Sequence, residues 1–180
     1  MRIINGTHKG RSIHPPGNLP VRPTTDFGKE SIFNVLNNFV DFTEIKVLDL
    51  FSGTGNMTYE FASRGAKDIT AVDMNYKCYA FIKKTAEEFG FQMVKAVKND
   101  SFTYIKNCKD SFDLIFADPP YEHEKIELIP SLIFEKQLLR AGGWLIMEHS
   151  AKNDFQKHEH FLERRSYGKV NFSIFGWKDE

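Results

Sequence analysis

At 180 residues and 41% hydrophobic content, the chain can bury one full core with a short appendage, and a separate recognition domain does not fit. Its 24 basic and 24 acidic residues cancel, which excludes a protein coated in positive charge, so any nucleic acid has to be met by a local patch. Cys78 and Cys108 form no CxxC pair and read as thiols of a reducing compartment; with no long apolar stretch or leader pattern, the cytoplasm is the expected location and no membrane partner is expected.

Residues 1–16 alternate in hydrophobicity around Gly6 and Gly10, a pattern that predicts a β-hairpin. Arg2, Lys9, Arg11 and Arg22 all precede the first acidic residue, Asp26, and make this segment the candidate phosphate-contacting patch. Pro15, Pro16, Gly17 and Pro20 read as a linker. Thr24 or Thr25 can then cap a helix whose spacing predicts burial of Phe27, Ile32, Phe33, Leu36 and Phe39. Together these features set off residues 1–44 as an appendage to a main domain over residues 45–180.

Beyond Lys46 strand and helix patterns alternate. Strands are expected at 46–51, 68–73, 92–97, 112–117 and 143–149, with helices at 56–64, 76–89, 102–107 and 124–139. Such alternation implies an α/β fold, a parallel sheet with helices on both faces, and residues 161–167 and 170–177 around Gly168 read as a closing hairpin. His158 and His160 could share a strand face, but nothing nearby completes a ligand set, so they are expected at the surface and no metal is expected.

The first strand runs into Asp49-Leu50-Phe51-Ser52-Gly53-Thr54-Gly55. In a doubly wound sheet this turn lies at the carboxyl edge, and Gly53 and Gly55 let the backbone approach a ligand closely. A dinucleotide fingerprint wants a third glycine near 58, where Thr58 stands, which counts against a nicotinamide-dependent oxidoreductase. Asp49, Asp73 and Asp100 stand at three successive strand ends. They suit a ligand with a cationic end and two hydroxyls: Asp73 accepts from ribose, Asp100 from an adenine amine with Ser101 or Phe102 beside it, and Met74 packs on the ring. S-adenosyl-L-methionine is such a ligand.

Directly after the apolar run 112–117 comes Asp118-Pro119-Pro120-Tyr121. Two prolines forbid a helix and further ladder bonding, so a buried strand must stop and present a carboxylate and a ring on a stiff loop. Asp118 and the Pro119 carbonyl can grip a planar amine by its N–H groups while Tyr121 stacks on its face, which suits methyl transfer to an exocyclic amino group.

The N-terminal MRIINGTHKGR, the Arg22-Pro23-Thr24-Thr25-Asp26 segment, DLFSGTG at 49–55, FDLIFADPPY at 112–121 and GGWLIMEH at 142–149 together resemble the RsmD family, through nearly the whole chain and in the same order. Tyr121 stands where that family often has phenylalanine, and Phe27 where it usually has arginine. The resemblance implies a Rossmann-like class I methyltransferase sheet that uses S-adenosyl-L-methionine and modifies a guanine N2 amine of 16S ribosomal RNA in the 30S subunit or its precursor. It implies that Asp118, Pro119 and Tyr121 serve the acceptor, that Asp49, Phe51, Gly53, Gly55, Asp73, Met74, Asp100, Ser101 and Asp118 serve the donor, and that the N-terminal cations serve RNA. Rival readings are an amino methyltransferase on DNA adenine or protein glutamine, an oxidoreductase on the same sheet, and a non-enzymatic RNA-binding factor.

Overall fold

The computed structural model describes residues 1–21 and 24–179, so Arg22, one of the four N-terminal cations, lies outside the described residues. Seven strands form a single sheet: β1 (Lys46–Leu50), β2 (Asp68–Asp73), β3 (Val94–Lys98), β4 (Phe112–Ala117), β5 (Leu139–His149), β6 (Phe161–Tyr167) and β7 (Val170–Phe175). Their order across the sheet is β3-β2-β1-β4-β5-β7-β6. The first five run parallel, and β7 pairs antiparallel with both β5 and β6. Central strands of such a sheet are covered on both faces, which is why β1 and β4 are nearly continuous apolar runs. At the β6 edge, Glu163, Arg164 and Arg165 place charge where another chain could otherwise pair.

Five helices cover the sheet: α1 (Asp26–Leu36), α2 (Asn56–Ser63), α3 (Tyr76–Phe89), α4 (Ser101–Asn107) and α5 (Ile129–Glu135). Strand side chains alternate between the two faces. Phe116 and Ile146 join the core under α1, α2 and α3, while Ala117 and Met147 join the core under α4 and α5. Residues two further along β4 and β5, Asp118 and Glu148, therefore return to the α1–α3 face. Among the described residues no helix is long and apolar enough to cross a membrane.

Helix α2 is buried along its whole length because the N-terminal segment lies over its outer side. The Glu60 carboxylate accepts from the backbone N–H groups of Ile4 and Asn5 at 2.9 and 3.0 Å and from Arg64 Nε at 2.9 Å. Buried Lys29 of α1 pairs with the same carboxylate at 3.4 Å and donates to the Arg2 carbonyl at 2.6 Å and Asn56 Oδ1 at 2.8 Å. Burial lowers the lysine's pKa against the pull of Glu60. Close approach of this arm explains Gly6, whose added side chain would collide with the Ser63 carbonyl. Ile3 and Ile13 share one core with Ile32, Phe33, Val47 and Phe61, so the N-terminal arm and α1 pack with the sheet around one core.

Several sequence expectations need correction. The N-terminal hairpin forms, Ile3 N–H donating to the Arg11 carbonyl, Gly10 N–H to Ile3 and Ile13 N–H to Met1, but its ladder is short, with one antiparallel bridge, Arg2 with Ser12, because the N–H groups of Ile4 and Asn5 turn to Glu60 of α2. Of the two candidate caps, Thr25 is the one that caps α1, accepting from Gly28 N–H. Ile32, Phe33 and Leu36 are buried, but the helix stops at Leu36, and Phe27 and Phe39 are 62% and 66% exposed, each resting edge-on or tilted against one ring, Tyr167 and Trp144. The expected helix at 124–139 is a 3-10 turn, Ile126–Leu128, followed by the two-turn α5 that Pro130 opens. Gln137 then adopts φ +55° and β5 starts at Leu139, four residues early. β3 begins at Val94 rather than 92 and α4 at Ser101. His158 and His160 are half-buried in an aromatic cluster, His160 stacking on Phe134 with centroids 4.0 Å apart.

Candidate active site

The carboxyl edge of a parallel sheet opens where neighbouring connections leave in opposite directions, here between β1 and β4. A cleft of about 990 Å³ occupies this edge. On one wall, Phe51 turns the chain with φ +55° and its N–H donates to Ser101 Oγ at 3.2 Å. Gly53 N–H donates to Asp73 Oδ2 at 2.8 Å, and Asn75 N–H to Asp73 Oδ1 at 2.9 Å. Each carboxylate oxygen keeps a free lone pair, so Asp73 can still accept from two hydroxyls. Asp100 caps α4 by accepting from Thr103 N–H at 2.9 Å, and Met74 stands 68% exposed at the rim.

Three carboxylates share the floor. Asp49 is buried and its Oδ2 accepts from the Thr58 hydroxyl at 2.6 Å, so the residue in place of a third fingerprint glycine is a buried partner of the site's acid. Burial, opposed by the Thr58 bond and reinforced by Asp73, pushes Asp49 up to about 7. Asp118, half-buried, is held well above the usual carboxylate range by desolvation first, then by the charges of Glu148 and Asp49. Glu148, buried at the end of β5, is also raised by desolvation, against hydrogen bonds from Thr24 Oγ1 at 3.0 Å and the Tyr121 hydroxyl at 3.0 Å. The Tyr121 phenol rises in turn, by burial and then by Glu148. Among the described residues, no three His, Cys, Asp or Glu side chains are grouped to hold a metal.

Asp49, Phe51, Gly53, Asp73, Met74, Asp100, Ser101, Asp118, Pro119 and Tyr121 all line the cleft. Gly55 does not: it is the N-cap of α2 with φ +81°, and an added Cβ would press on the Tyr59 ring at 2.6 Å and Ile82 at 2.9 Å. Its smallness serves the packing of α2 on α3. The N-terminal cations are not gathered at the cleft. Arg2 and Lys9 border a separate cavity of about 350 Å³ on the arm, and Arg11 lies 4.3 Å over the Phe89 ring at the far end of α3. Helix α2 leads from the cleft to this end, a path of about 12 Å at 1.5 Å per residue.

Sequence reasoning missed Glu148, Thr24 and Asn56 as cleft residues. For Glu148 the signal existed, an acid closing an apolar strand as Asp49 and Asp73 do. Thr24 was weighed only as a cap. Asn56, bridging the Lys29 ammonium and the Thr24 carbonyl, has no sequence signature.

The family described as conserved hypothetical protein 95 matches residues 1–176. A Bacillus subtilis protein named "Putative rRNA methyltransferase YlbH" is 31% identical over 97% of this chain and 98% of its own length. The Haemophilus influenzae "Ribosomal RNA small subunit methyltransferase D" is 26% identical over 97% of this chain and 93% of its own. Among solved structures, one titled "Putative methyltransferase yhhF from Escherichia coli" superposes with a TM-score of 0.84 at 23% identity, over 97% of this chain and 96% of the other, so the sheet is of the class I methyltransferase type. Matched along almost its full length, the chain belongs to the RsmD family.

Proposed function

We propose that the protein transfers a methyl group from S-adenosyl-L-methionine to the exocyclic N2 amine of a guanine in 16S ribosomal RNA, acting in the cytoplasm on the 30S subunit or its precursor. One observation carries this reading: a nucleoside-sized wall of strand-end carboxylates and a rigid acid-proline-proline-aromatic turn face each other across a single cleft. The relative named for the small-subunit RNA supports the substrate class.

The donor fits the residues present. Asp73 has two unused acceptor positions for ribose hydroxyls, Asp49 sets negative charge beside a cationic end, and exposed Met74 offers a flat apolar contact at the rim. When bound, S-adenosyl-L-methionine supplies an electrophilic methyl group on a sulfonium. Asp118 and the Pro119 carbonyl accept the two N–H bonds of the amine, draw the nitrogen toward tetrahedral geometry and aim its lone pair across the cleft. Tyr121 stacks on the base and fixes its plane. Positive charge grows on the nitrogen as the bond forms, so the Asp118 carboxylate stabilises the transition state more than the ground state, and its high proton affinity suits it to take the departing proton. An edge inside a helical stack cannot reach this turn, so the substrate base is unpaired or flipped out. Residues 1–44 extend the contact, with Arg2, Lys9 and Arg11 meeting phosphates along the arm.

A nearly neutral protein gains little from charge alone, so shape supplied by the assembled subunit has to add affinity. Labelled donor should give far more transfer to subunits lacking the modification than to protein-free 16S RNA. Equal use of both, or label in protein, contradicts the proposal.

A further inference from the structure

Glu148 has no part in the chemistry just described, yet it stands beside the residue that does. Register pairs Ala117 with Met147, so Asp118 and Glu148 follow as the next neighbours on β4 and β5, on one face and about 4.8 Å apart along the hydrogen-bonding direction. Both line the cleft, and Glu148 is only 5% exposed. Each of its oxygens already accepts one hydroxyl, from Thr24 and from Tyr121. A carboxylate oxygen has about two acceptor positions, so each retains one. Thr24 and Tyr121 thus hold the ionised side chain in place as an acceptor.

Two fixed acceptors side by side define the edge they can bind. Guanine carries its N2 amine next to N1–H, two donors in a row. Adenine sets its N6 amine beside the N1 lone pair, and cytosine sets its N4 amine beside the N3 lone pair. Either of these would aim a ring lone pair at the second carboxylate. Two carboxylates alone in a dry cleft also repel each other, and an edge with adjacent donors relieves that repulsion where a donor-acceptor edge does not.

We propose that Glu148 is the specificity-determining residue of the cleft, accepting the N1–H bond of guanine while Asp118 and the Pro119 carbonyl hold the N2 amine. The assignment rests on the reading of the cleft as an amino-group methyltransferase site. A site built to pair a polar group rejects the analogue that lacks it by large factors, because its own buried group is left unmatched.

The test compares guanosine with 2-aminopurine riboside at the methylated position of the small-subunit substrate. The analogue keeps the N2 amine but offers a lone pair at N1. Wild-type protein should prefer guanosine by about a hundred-fold in kcat/KM. In Glu148→Gln the side-chain amide can turn a donor toward that lone pair, so the preference should shrink at least about tenfold, with donor affinity measured by calorimetry unchanged. Because the readout is a ratio within one protein, loss of stability does not mimic it. An unchanged ratio in Glu148→Gln, alongside normal N2 methylation by the wild type, overturns the role of Glu148 alone. Methyl transfer by the wild type to some acceptor other than a guanine amine overturns both readings.

Discussion

The two walls of the cleft use the same functional group in opposite ways. Where β1, β2 and β3 end, Asp73 and Asp100 are tied to backbone N–H groups of the following turns, and the wall is open to solvent at Met74. Where β4 and β5 end, Asp118 and Glu148 meet side-chain hydroxyls and each other in a drier corner, backed by two prolines. The first arrangement fixes the carboxylates to hold hydroxyls. The second raises proton affinity and so makes a carboxylate fit for chemistry. Asp49 lies between the walls, and burial is the largest cause of its raised pKa, with the Asp73 charge adding to it.

The sharpest way to break this contrast is to neutralise one acid on each wall. Asp118→Asn should lower single-turnover methyl transfer about a hundred-fold or more, with little change in donor affinity, since Asp118 works on the acceptor amine. Asp73→Ala should do the reverse: donor binding, read by calorimetry, weakens by about 1–3 kcal/mol while turnover at saturating donor stays near that of the parent. If both variants lose the same step, the walls are not separate.

Acidity sharpens the comparison further. Asp118 must be ionised to accept from the amine and Glu148 to accept from N1–H, and both have raised pKa values. Transfer rate should therefore fall as pH drops through that raised range, by up to about tenfold per unit for each acid that must be ionised, and level off above it. A profile flat down to pH 5 would show that neither acid must be ionised.

Asp49 gives a smaller effect of opposite sense. Its folded pKa of about 7 lies above the ordinary value, so the folded state binds the proton more tightly than the unfolded chain. The resulting stability cost is absent below the unfolded value and fully developed once pH exceeds about 7. Asp49→Asn keeps an acceptor for Thr58 and should stabilise the donor-free protein by about 1–3 kcal/mol at pH 8, with little change at pH 4. Thermal denaturation at the two values measures it. Equal shifts at both would mean that the acid is not buried in solution.

Much of this was written in the chain, because the strand ends announce themselves. Apolar runs closing on Asp49, Asp73 and Asp118 required only the period of a buried strand and a carboxylate after it. What escaped depended on tertiary contact. Thr24 and Thr25 are equivalent as caps in sequence, and only the neighbourhood of Glu148 decides which hydroxyl leaves the helix. Lys29 and Glu60 have no sequence signature of burial, yet they are 1% and 0% exposed because the N-terminal arm closes over them. The same closure keeps the N-terminal hairpin short, since Ile4 and Asn5 donate to Glu60. Phe27 and Phe39 failed for the converse reason: helical spacing predicts a buried stripe only where a helix continues and something covers it.

The nucleoside produced tests the central claim most directly. Small subunits lacking the modification, incubated with protein and labelled S-adenosyl-L-methionine and then digested with nucleases, should yield the label as N2-methylguanosine. Recovery as N6-methyladenosine would contradict the account of two adjacent acceptors at the ends of β4 and β5.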